Sequence, residues 1–316
     1  MALVEIVAPT LPTERAGNSV TAQRYAQLFG EIGLSTSVTG EPSGRGRVVV
    51  ALNAFRTAAA ITAAATSSAQ VVVVLTGTDV YRFMATDRVV VMGSLDRSDR
   101  LVGLNDRVGE CLEPHHRARL TIIHEGAHPV EVPRSAPSKE FVVAVVGHLR
   151  DEKDPTTVAA AMRLLPDTSR IVARHYGGAY SAEWASWARR EAASNERYRW
   201  QGEVPWREMG TVYAHSHVLV NSSVMEGGAN AISEAVMAGL PVLATDIPGN
   251  VGVLGEHYPG YYTVGDHHAL ADLLLALECD PSQLAALEDR VMAMQPRFTV
   301  DRERRRWAEL FAGLGL

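Results

Sequence analysis

The sequence predicts an α/β protein made of two doubly wound domains, each built on a parallel β-sheet, facing each other across a cleft. Short apolar runs rich in β-branched residues alternate with helical segments, the pattern typical of strand–helix–strand units. The chain has 316 residues, a length that suits two domains of ordinary size. Residues 126–140 hold three prolines between two such alternating series, so we place the domain boundary in this segment.

Each half of the chain supplies five expected strands. In the first half, residues 88–92 have the composition of a strand. Because residues 100–105 are better placed to form the next strand, we predict a helix at 88–92 instead. The expected strands are 3–9, 47–53, 70–77, 100–105 and 119–126, then 141–148, 170–178, 198–202, 217–223 and 241–246. Helices are expected at 17–33, between the second and third strands, from about 155, over 181–195 and 205–215, from about 229, and at the basic amphipathic C-terminus.

Composition excludes several classes of function. A formal net charge of −6 argues against a nucleic-acid or anionic-membrane partner. Cys111 and Cys279 are the two cysteines, too few for a disulfide framework or a cysteine metal cluster. The first ten residues lack a basic n-region and no run approaches 18 apolar residues, so we expect a soluble, cytoplasmic protein.

The segment "MEGGANAISE" is the strongest candidate site, because ligands of parallel sheets bind where strands run into helices. Gly227 and Gly228 allow close backbone approach, and the first amides of the following helix would suit a diphosphate. Ionised carboxylates only accept hydrogen bonds, so Glu226 and Glu234 suit the hydroxyls of a sugar. The alternative is that both are solvated acids favoured by the helix dipole.

A second candidate, "GHLRDEKDP", clusters His148, Arg150 and Lys153 where a strand ends and a helix begins. A cation at a helix N-terminus opposes the dipole, so Lys153 makes better sense if an anion lies beside it. Lysine is scarce here, with Lys139 the only other one among 30 basic residues, which adds slightly to the interest of Lys153. A solvent-facing lysine is the alternative.

Two strand-to-helix loops of the first half are weaker candidates. Gly17 and Asn18 open a helix, where an ordinary N-cap by Asn18 is the simpler interpretation. Asp79 is either an N-cap or a carboxylate that orients a substrate. The second loop supplies Thr76, Gly77, Thr78, Asp79 and Arg82.

Several ligand signatures are absent from the sequence. It contains no G-x-G-x-x-G, no G-x-x-x-x-G-K-[ST] and no D-x-D. The sequence therefore lacks the motifs of dinucleotide-binding sites, P-loops and metal-dependent nucleotide-sugar sites. The eleven histidines are scattered, and "PHHR" at 114–117 is interpreted as surface. We therefore predict no metal and no cofactor.

Seven residues separate Glu226 from Glu234, and this resembles the E-x7-E motif of GT-B glycosyltransferases of the family 4 type. "VVGHLRDEKD" is similar to that family's strand–G-R-L–x-x-x-K segment, with Lys153 at the lysine and His148 where the family has arginine. "WQGEV" resembles the loop that holds the nucleotide base. The resemblance implies a GT-B fold of two Rossmann-like domains, an acceptor-side domain at 1–132 and a donor domain at 133–297, with the helix at 298–316 packing back on the first.

The chain also resembles a narrower group, the selenosugar synthases of selenoneine biosynthesis. "GNSVTAQRYA", "LTGTDVYR", "GHLRDEKDP" and "IPGNVGVLGEHYPGY" carry this likeness across nearly the full length. It implies a UDP-sugar as co-substrate, UDP-N-acetylglucosamine, with selenophosphate as the acceptor and functional partners in a selenium pathway. The products would be a 1-seleno-sugar, UDP and phosphate.

The resemblance assigns roles to the candidate residues. Lys153, Arg150 and Glu226 would be catalytic, with His148 as the alternative to Arg150 at the diphosphate. Donor binding would use Gly202, Glu203, Val204, Gly227, Gly228, Ala229, Asn230 and Glu234. Acceptor binding would use Gly17, Asn18, Arg56, Thr76, Gly77, Thr78, Asp79 and Arg82. The alternatives are a family 4-type enzyme with an alcohol acceptor, a UDP-sugar epimerase of GT-B fold, and a non-catalytic sugar-binding protein.

Overall fold

The computed structural model describes residues 3–9, 17–136 and 139–316, and for residues 17–19 it describes the backbone alone. Their contacts divide the chain into two compact units: unit 1 is Met1–Glu125 with Val300–Leu316, and unit 2 is Gly126–Thr299. The division lies seven residues before the predicted boundary at 132/133. Ala127 explains this shift, because its amide donates to the Phe298 carbonyl at 2.8 Å and ties the start of the proline-rich segment to unit 2.

Unit 1 is built on a six-stranded, fully parallel sheet of order β2-β1-β3-β4-β5-β6. Its strands are β1 (Leu3–Val7), β2 (Ser35–Thr39), β3 (Val48–Leu52), β4 (Gln70–Leu75), β5 (Arg100–Gly103) and β6 (Leu120–Ile122). Its helices up to β6 are α1 (Gly17–Glu31), α2 (Ala58–Ala65), α3 (Met84–Thr86), α4 (Arg88–Asp96) and α5 (Pro114–Arg117), with a π-helical turn at Asp79–Phe83 and a 3-10 turn at Val108–Cys111.

Unit 2 is built on a second parallel sheet of six strands, in the order β12-β11-β10-β7-β8-β9. The strands are β7 (Phe141–Val146), β8 (Ile171–Tyr176), β9 (Tyr198–Gly202), β10 (Val218–Asn221), β11 (Val242–Thr245) and β12 (Tyr261–Tyr262). The helices are α6 (Pro155–Leu164), α7 (Ala182–Ser194), α8 (Met209–Ala214), α9 (Asn230–Met237), α10 (Pro248–Leu254), α11 (His267–Cys279) and α12 (Pro281–Met294). Short 3-10 turns lie at Asp151–Lys153, Trp206–Glu208 and Gln295–Arg297.

The strand sequences explain the layering of unit 1. In β3, Val48, Val50 and Leu52 pack in one core with α1, whereas Val49 and Ala51 pack in another with α2 and α4. Both faces of the strand are therefore covered, which is why its sequence is a continuous apolar run rather than an alternating one. The prediction of a helix at 88–92 is confirmed by α4, in which Val91 is buried and Val89 is 87% exposed.

The C-terminal helix α13 (Val300–Ala312) belongs to unit 1. Trp307 is fully buried, with its ring centroid 5.1 Å from that of Tyr25 and 4.8 Å from that of Phe29. Arg24 of α1 pairs with the buried Glu303, Nη1 to Oε1 at 2.7 Å. In the described ranges, no helix combines the length and apolar composition that a membrane span requires.

We expect Trp307→Ala to lower the free energy of unfolding by about 3–5 kcal/mol, because it leaves a large cavity between α1 and α13. Trp206→Ala is the matched control, since Trp206 is 66% exposed and its loss should change stability by less than about 0.5 kcal/mol. Urea unfolding of both variants checks this, and equal stabilities would show that α13 does not hold unit 1 together.

Candidate active site

The carboxyl edge of the unit 2 sheet brings together the two strongest candidate loops. β7 and β10 are hydrogen-bonded neighbours, with Val145 beside Val220. β7 continues into the 3-10 turn that ends at Lys153, and β10 continues into the segment that holds Glu226. Because parallel strands end at the same edge, the two loops leave the sheet side by side.

Lys153 and Glu226 form a buried ion pair at this edge. The Lys153 ammonium donates to Glu226 Oε1, and the two side chains are 18% and 8% exposed. Ser223 Oγ donates to the same oxygen at 2.6 Å, and Asn221 Nδ2 does so at 3.4 Å. All three donors meet Oε1, and no described residue donates to Oε2. The second carboxylate oxygen therefore keeps its capacity to accept from a ligand.

The electrostatics of this site favour the ionised form of Glu226. Burial alone raises the pKa of its carboxyl, but the charge and hydrogen bond of Lys153, the Ser223 hydroxyl and the charge of Arg150 together bring the pKa below its usual value. Lys153 lies just before α6, where the helix dipole disfavours a cation unless an anion lies beside it. Glu226 supplies an anion from within the chain.

Three further polar residues position the pair, and sequence reasoning missed all of them. Ser222 Oγ donates to the Lys153 carbonyl at 2.8 Å. Thr245 Oγ1 donates to the Ser223 carbonyl at 2.5 Å, and the buried Asn250 donates to Thr245 O and Oγ1 at 3.0 Å each. The small polar run "NSS" directly after a buried strand was the one signal in the sequence that pointed to this network.

Backbone hydrogen bonds hold the loops after β7, β8 and β9 together. The Gly177 amide donates to the Gly202 carbonyl at 2.7 Å, and the Leu149 amide donates to the Gly178 carbonyl at 2.9 Å. A Cβ atom on Gly177 would lie 2.0 Å from the Gly147 carbonyl oxygen, a distance that no side chain tolerates. Residue 177 is therefore a glycine because the chain segments touch there.

His175 fixes the loop that precedes Lys153. It is 1% exposed, with Nδ1 2.7 Å from the Tyr198 hydroxyl and Nε2 2.9 Å from the Gly147 carbonyl oxygen. Burial lowers the pKa of this imidazole to about 4, so the ring is neutral at pH 7. Donation from Nε2 to the carbonyl and acceptance at Nδ1 from the hydroxyl satisfy both nitrogens of a neutral ring. No spacing pattern in the sequence pointed to His175.

The N-terminus of α9 lies directly after Glu226. The helix begins at Asn230, one residue later than predicted, and Ala229 occupies its N-cap position with a φ of +44°. Gly227 and Gly228 are buried, whereas Asn230 is exposed. Alanine has no side-chain oxygen, so the N-cap residue itself makes no side-chain cap. The first amides of the helix are therefore not satisfied by a cap of the usual kind.

The remaining residues predicted for the donor lie around this edge. Glu234, in α9, accepts from the Tyr213 hydroxyl at 2.6 Å. Arg150 is 37% exposed with Nε 3.8 Å from the Glu152 carboxylate. His148 is half-buried, and no described residue hydrogen-bonds its ring. The structure thus leaves both Arg150 and His148 as donors for an anion.

The segment 202–204 leaves the sheet at β9, three strands from β10. Gly202 has a φ of +71°, Glu203 is exposed, and Val204 packs on the unit 2 core. Neighbouring strands lie about 4.8 Å apart, so this segment and Glu226 leave the edge about 14 Å apart. The two segments therefore lie at different places along the edge.

In unit 1, the candidate loops follow β1, β3 and β4, which are adjacent in the sheet. Asn53, fully buried and with a φ of +80°, links two of these loops and was missed by sequence reasoning. Its Nδ2 donates to Thr76 Oγ1 at 2.8 Å and to Thr78 Oγ1 at 3.0 Å. Its Oδ1 accepts from the backbone amide of Arg56 at 2.9 Å.

Asp79 has a different role from the predicted substrate-orienting one. Its side chain is fully buried, and its two oxygens accept from the backbone amides of Ala54, Thr76, Gly77 and Val80 at 2.9–3.3 Å. Burial raises the pKa of this carboxyl, and the four amide hydrogen bonds offset part of that rise. A carboxylate without exposed surface cannot contact a ligand, so Asp79 holds the loop.

Of the other predicted unit 1 residues, Arg56 is exposed and Arg82 is half-buried. Gly77 takes a φ of +106° between the two threonines bound by Asn53. Gly17 and Asn18 form the first turn of α1, and the predicted role of the Asn18 side chain lies outside the described part of the structure.

We expect Glu226→Gln to lower the free energy of unfolding at pH 7 by about 3 kcal/mol, because it leaves the Lys153 charge without its partner. The pKa of Glu226 is lowered in the fold, so its stabilising effect is present above the carboxyl's unfolded pKa of about 4.3 and is lost as pH falls through the lower folded value. The difference from wild type should therefore shrink between pH 5 and pH 3 in urea titrations. Glu256→Gln, at an exposed position of unit 2, is the control; a difference that stays constant with pH would contradict the ion pair.

Solved structures of similar fold match nearly the whole chain. HepE of Anabaena, solved in complex with UDP, is 14% identical with a TM-score of 0.78, and the match covers 99% of this chain and 100% of that one. Sucrose-phosphate synthase of Thermosynechococcus elongatus is 14% identical with a TM-score of 0.82, covering 99% and 98%. At this level of identity the likeness shows the fold, and the predicted GT-B class of two Rossmann-like parallel-sheet domains is confirmed.

Sequence comparison points to the same group of proteins. A "Glycosyltransferase 1 domain-containing protein 1" from Xenopus tropicalis is 46% identical over 58 residues, a stretch that spans 18% of this chain and 17% of the frog protein. The family model of the group 1 glycosyl transferases matches residues 131–292, just over half of the chain. That range contains both β7 and the β10–α9 segment, and with it Lys153 and Glu226. The chain therefore belongs to the group 1 glycosyl transferase family.

Proposed function

We propose that this protein is a glycosyltransferase that takes its sugar from a UDP-sugar donor bound at the carboxyl edge of unit 2. The observation that carries the proposal is the buried Lys153–Glu226 pair, directly before helix α9. No described residue donates to the second oxygen of Glu226, and the N-cap residue of α9, Ala229, makes no side-chain cap. Group 1 family membership supports it, as does the fold shared with HepE, which was solved with UDP.

The diphosphate of the donor is assigned to the start of α9 and the cations beside it. The amides of Gly228, Ala229 and Asn230 and the helix dipole favour an anion there. Lys153 adds a charge that Glu226 holds in place. Arg150 is assigned to the same diphosphate, and His148 is the alternative.

The two ends of the donor extend in opposite directions from the diphosphate. Glu226 Oε2 accepts from hydroxyls of the sugar, and Glu234 accepts from the ribose. The uracil is assigned to Gly202, Glu203 and Val204. The separation of about 14 Å between the β9 and β10 loops suits a ligand with a base at one end and a sugar at the other.

The chemistry needs stabilisation of negative charge more than it needs a base. As the bond between the sugar C1 and the diphosphate oxygen breaks, charge grows on the leaving UDP. Fixed cations and amides aimed at that charge lower the barrier without reorganisation. The Lys153 ammonium is held by its charge-assisted hydrogen bond to Glu226 before any substrate arrives, which is the preorganisation that this kind of catalysis requires.

We further propose selenophosphate as the acceptor and N-acetylglucosamine as the sugar, on the strength of the sequence resemblance. Selenium attacks C1 as UDP leaves, and water then cleaves the Se–P bond to give the 1-seleno-sugar and phosphate. An anionic selenium nucleophile has little need of a general base. Asp79, the carboxylate of the loop after β4, is fully buried and is therefore not placed to act as one. Arg56 and Arg82 are assigned to the phosphate group.

Incubation with UDP-N-acetylglucosamine, with and without selenophosphate, tests the proposal. We expect rapid release of UDP that depends on selenophosphate, measured by chromatography, and a loss of at least about 100-fold in rate for Glu226→Gln. Glu256→Gln is the control for an exposed carboxylate in the same unit.

The other outcomes separate the alternatives. UDP release with an alcohol acceptor and no dependence on selenophosphate would overturn the acceptor and keep the transferase. Conversion of the UDP-sugar to its epimer without any acceptor would indicate an epimerase. Binding of UDP-sugar with no turnover under any condition would indicate a non-catalytic sugar-binding protein.

A further inference from the structure

Asp96, His115 and His116 meet at the amino edge of the unit 1 sheet. Asp96 is the last residue of α4, which precedes β5, and the two histidines lie in α5, which precedes β6. β5 and β6 are parallel neighbours, so the segments that enter them are adjacent. The loops assigned to the acceptor follow β1, β3 and β4 and therefore lie at the opposite edge of the same sheet.

Three potential ligand atoms converge on one point. Asp96 Oδ1 lies 2.8 Å from His116 Nε2 and 3.5 Å from His115 Nε2, and all three atoms lie within 4.8 Å of one another. A metal ion about 2.0–2.2 Å from each ligand requires ligand atoms that are about 3–3.5 Å apart. Shifts of a few tenths of an ångström at the Asp96–His116 contact, and a closer approach of the two imidazoles, would reach that geometry.

The three side chains differ in exposure. The His116 side chain is fully buried, so its ring is held by packing, whereas His115 and Asp96 are 57% and 56% exposed. The second nitrogen of His115 lies 3.7 Å from Glu113 Oε2, and the other oxygen of Glu113 accepts from Arg88 at 2.7 Å. The separation between His115 and Glu113 is longer than a hydrogen bond, so Glu113 contributes a nearby negative charge rather than a hydrogen bond to the His115 ring.

We propose that Asp96, His115 and His116 bind one divalent transition-metal ion, with Zn²⁺ as the physiological candidate. Two imidazoles and one carboxylate suit zinc and its neighbours rather than Mg²⁺ or Ca²⁺, which prefer oxygen ligands. Bound metal would add a further link between the C-terminal end of α4 and α5, beside the Arg88–Glu113 ion pair and the hydrogen bond from Arg119 to the Leu95 carbonyl.

The sequence analysis predicts no metal, and the reason is visible in the fold. "PHHR" has no ligand spacing of a known kind, and its carboxylate partner Asp96 lies 19 residues upstream of His115. The chain has a second adjacent pair, His267 and His268, at the start of α11, with ring centroids 4.6 Å apart. No such converging group of ligands includes that pair among the residues that the structure describes.

Isothermal titration of the tag-free, chelator-treated full chain with Zn²⁺ tests the site. We expect one zinc per chain in wild type and a loss of affinity of more than about tenfold in His115→Ala and Asp96→Asn. The double variant His267→Ala/His268→Ala is the matched control and should bind as wild type does.

Thermal unfolding provides the second readout. Zn²⁺ should raise the melting temperature of wild type and of the control, because a ligand that binds only the folded state stabilises it, and it should leave His115→Ala unchanged. His115 is exposed, so this variant should fold normally in chelator. Equal zinc affinity in wild type and His115→Ala, or loss of binding in the control, would overturn the site. UDP-sugar turnover is not used in either measurement, so the outcome is independent of the proposed transferase activity.

Discussion

The ion pair between Lys153 and Glu226 is the interaction on which the candidate active site depends. Moving a charged group out of water costs several kcal/mol. That cost is offset only when the two charges are close and their remaining donors and acceptors are hydrogen-bonded. Here Ser223 and Asn221 donate to the paired oxygen, and Ser222 holds the backbone of Lys153. Thr245 and Asn250 in turn hold the Ser223 segment, and Gly249 of α10 packs against the Glu226 backbone, so β11 and α10 both support the site.

The same constraint explains the close packing of the edge. Lys153 reaches Glu226 only if the loop after β7 is fixed relative to the end of β10. The contact between Gly147 and Gly177 and the hydrogen bond from His175 to the Gly147 carbonyl fix its start. His175 can act in this way because burial keeps its ring neutral, since a charged imidazole there would face Lys153 across a low-dielectric interior.

The sequence predicted most of the strands and many of the helices, because β-branched apolar runs and helix periodicity are local properties, but it did not predict α10, α11 or α12. It did not predict β2, whose sequence "STSVT" is polar and half-buried at a sheet edge, or β12, which has two residues. The E-x7-E spacing and Lys153 identified the site, but not that Lys153 and Glu226 pair across 73 positions of sequence. Asn53, His175 and Asn250 act through contacts between distant segments, and Asp79 could be distinguished from a ligand-binding carboxylate only by its burial. These contacts and the burial of Asp79 depend on three-dimensional packing, which the spacing of residues along the sequence does not reveal.

Calorimetric titration of UDP into wild type and Lys153→Ala tests the central claim most directly. Lys139→Ala is the matched control, because Lys139 is the only other lysine and lies exposed in the proline-rich segment. If Lys153 is held by Glu226 to meet the diphosphate, its loss removes a charge-assisted hydrogen bond and should weaken UDP binding about 10- to 100-fold, with Lys139→Ala unchanged. Equal affinity for UDP in a folded Lys153→Ala variant and in wild type would show that the pair serves the fold alone and would contradict the account.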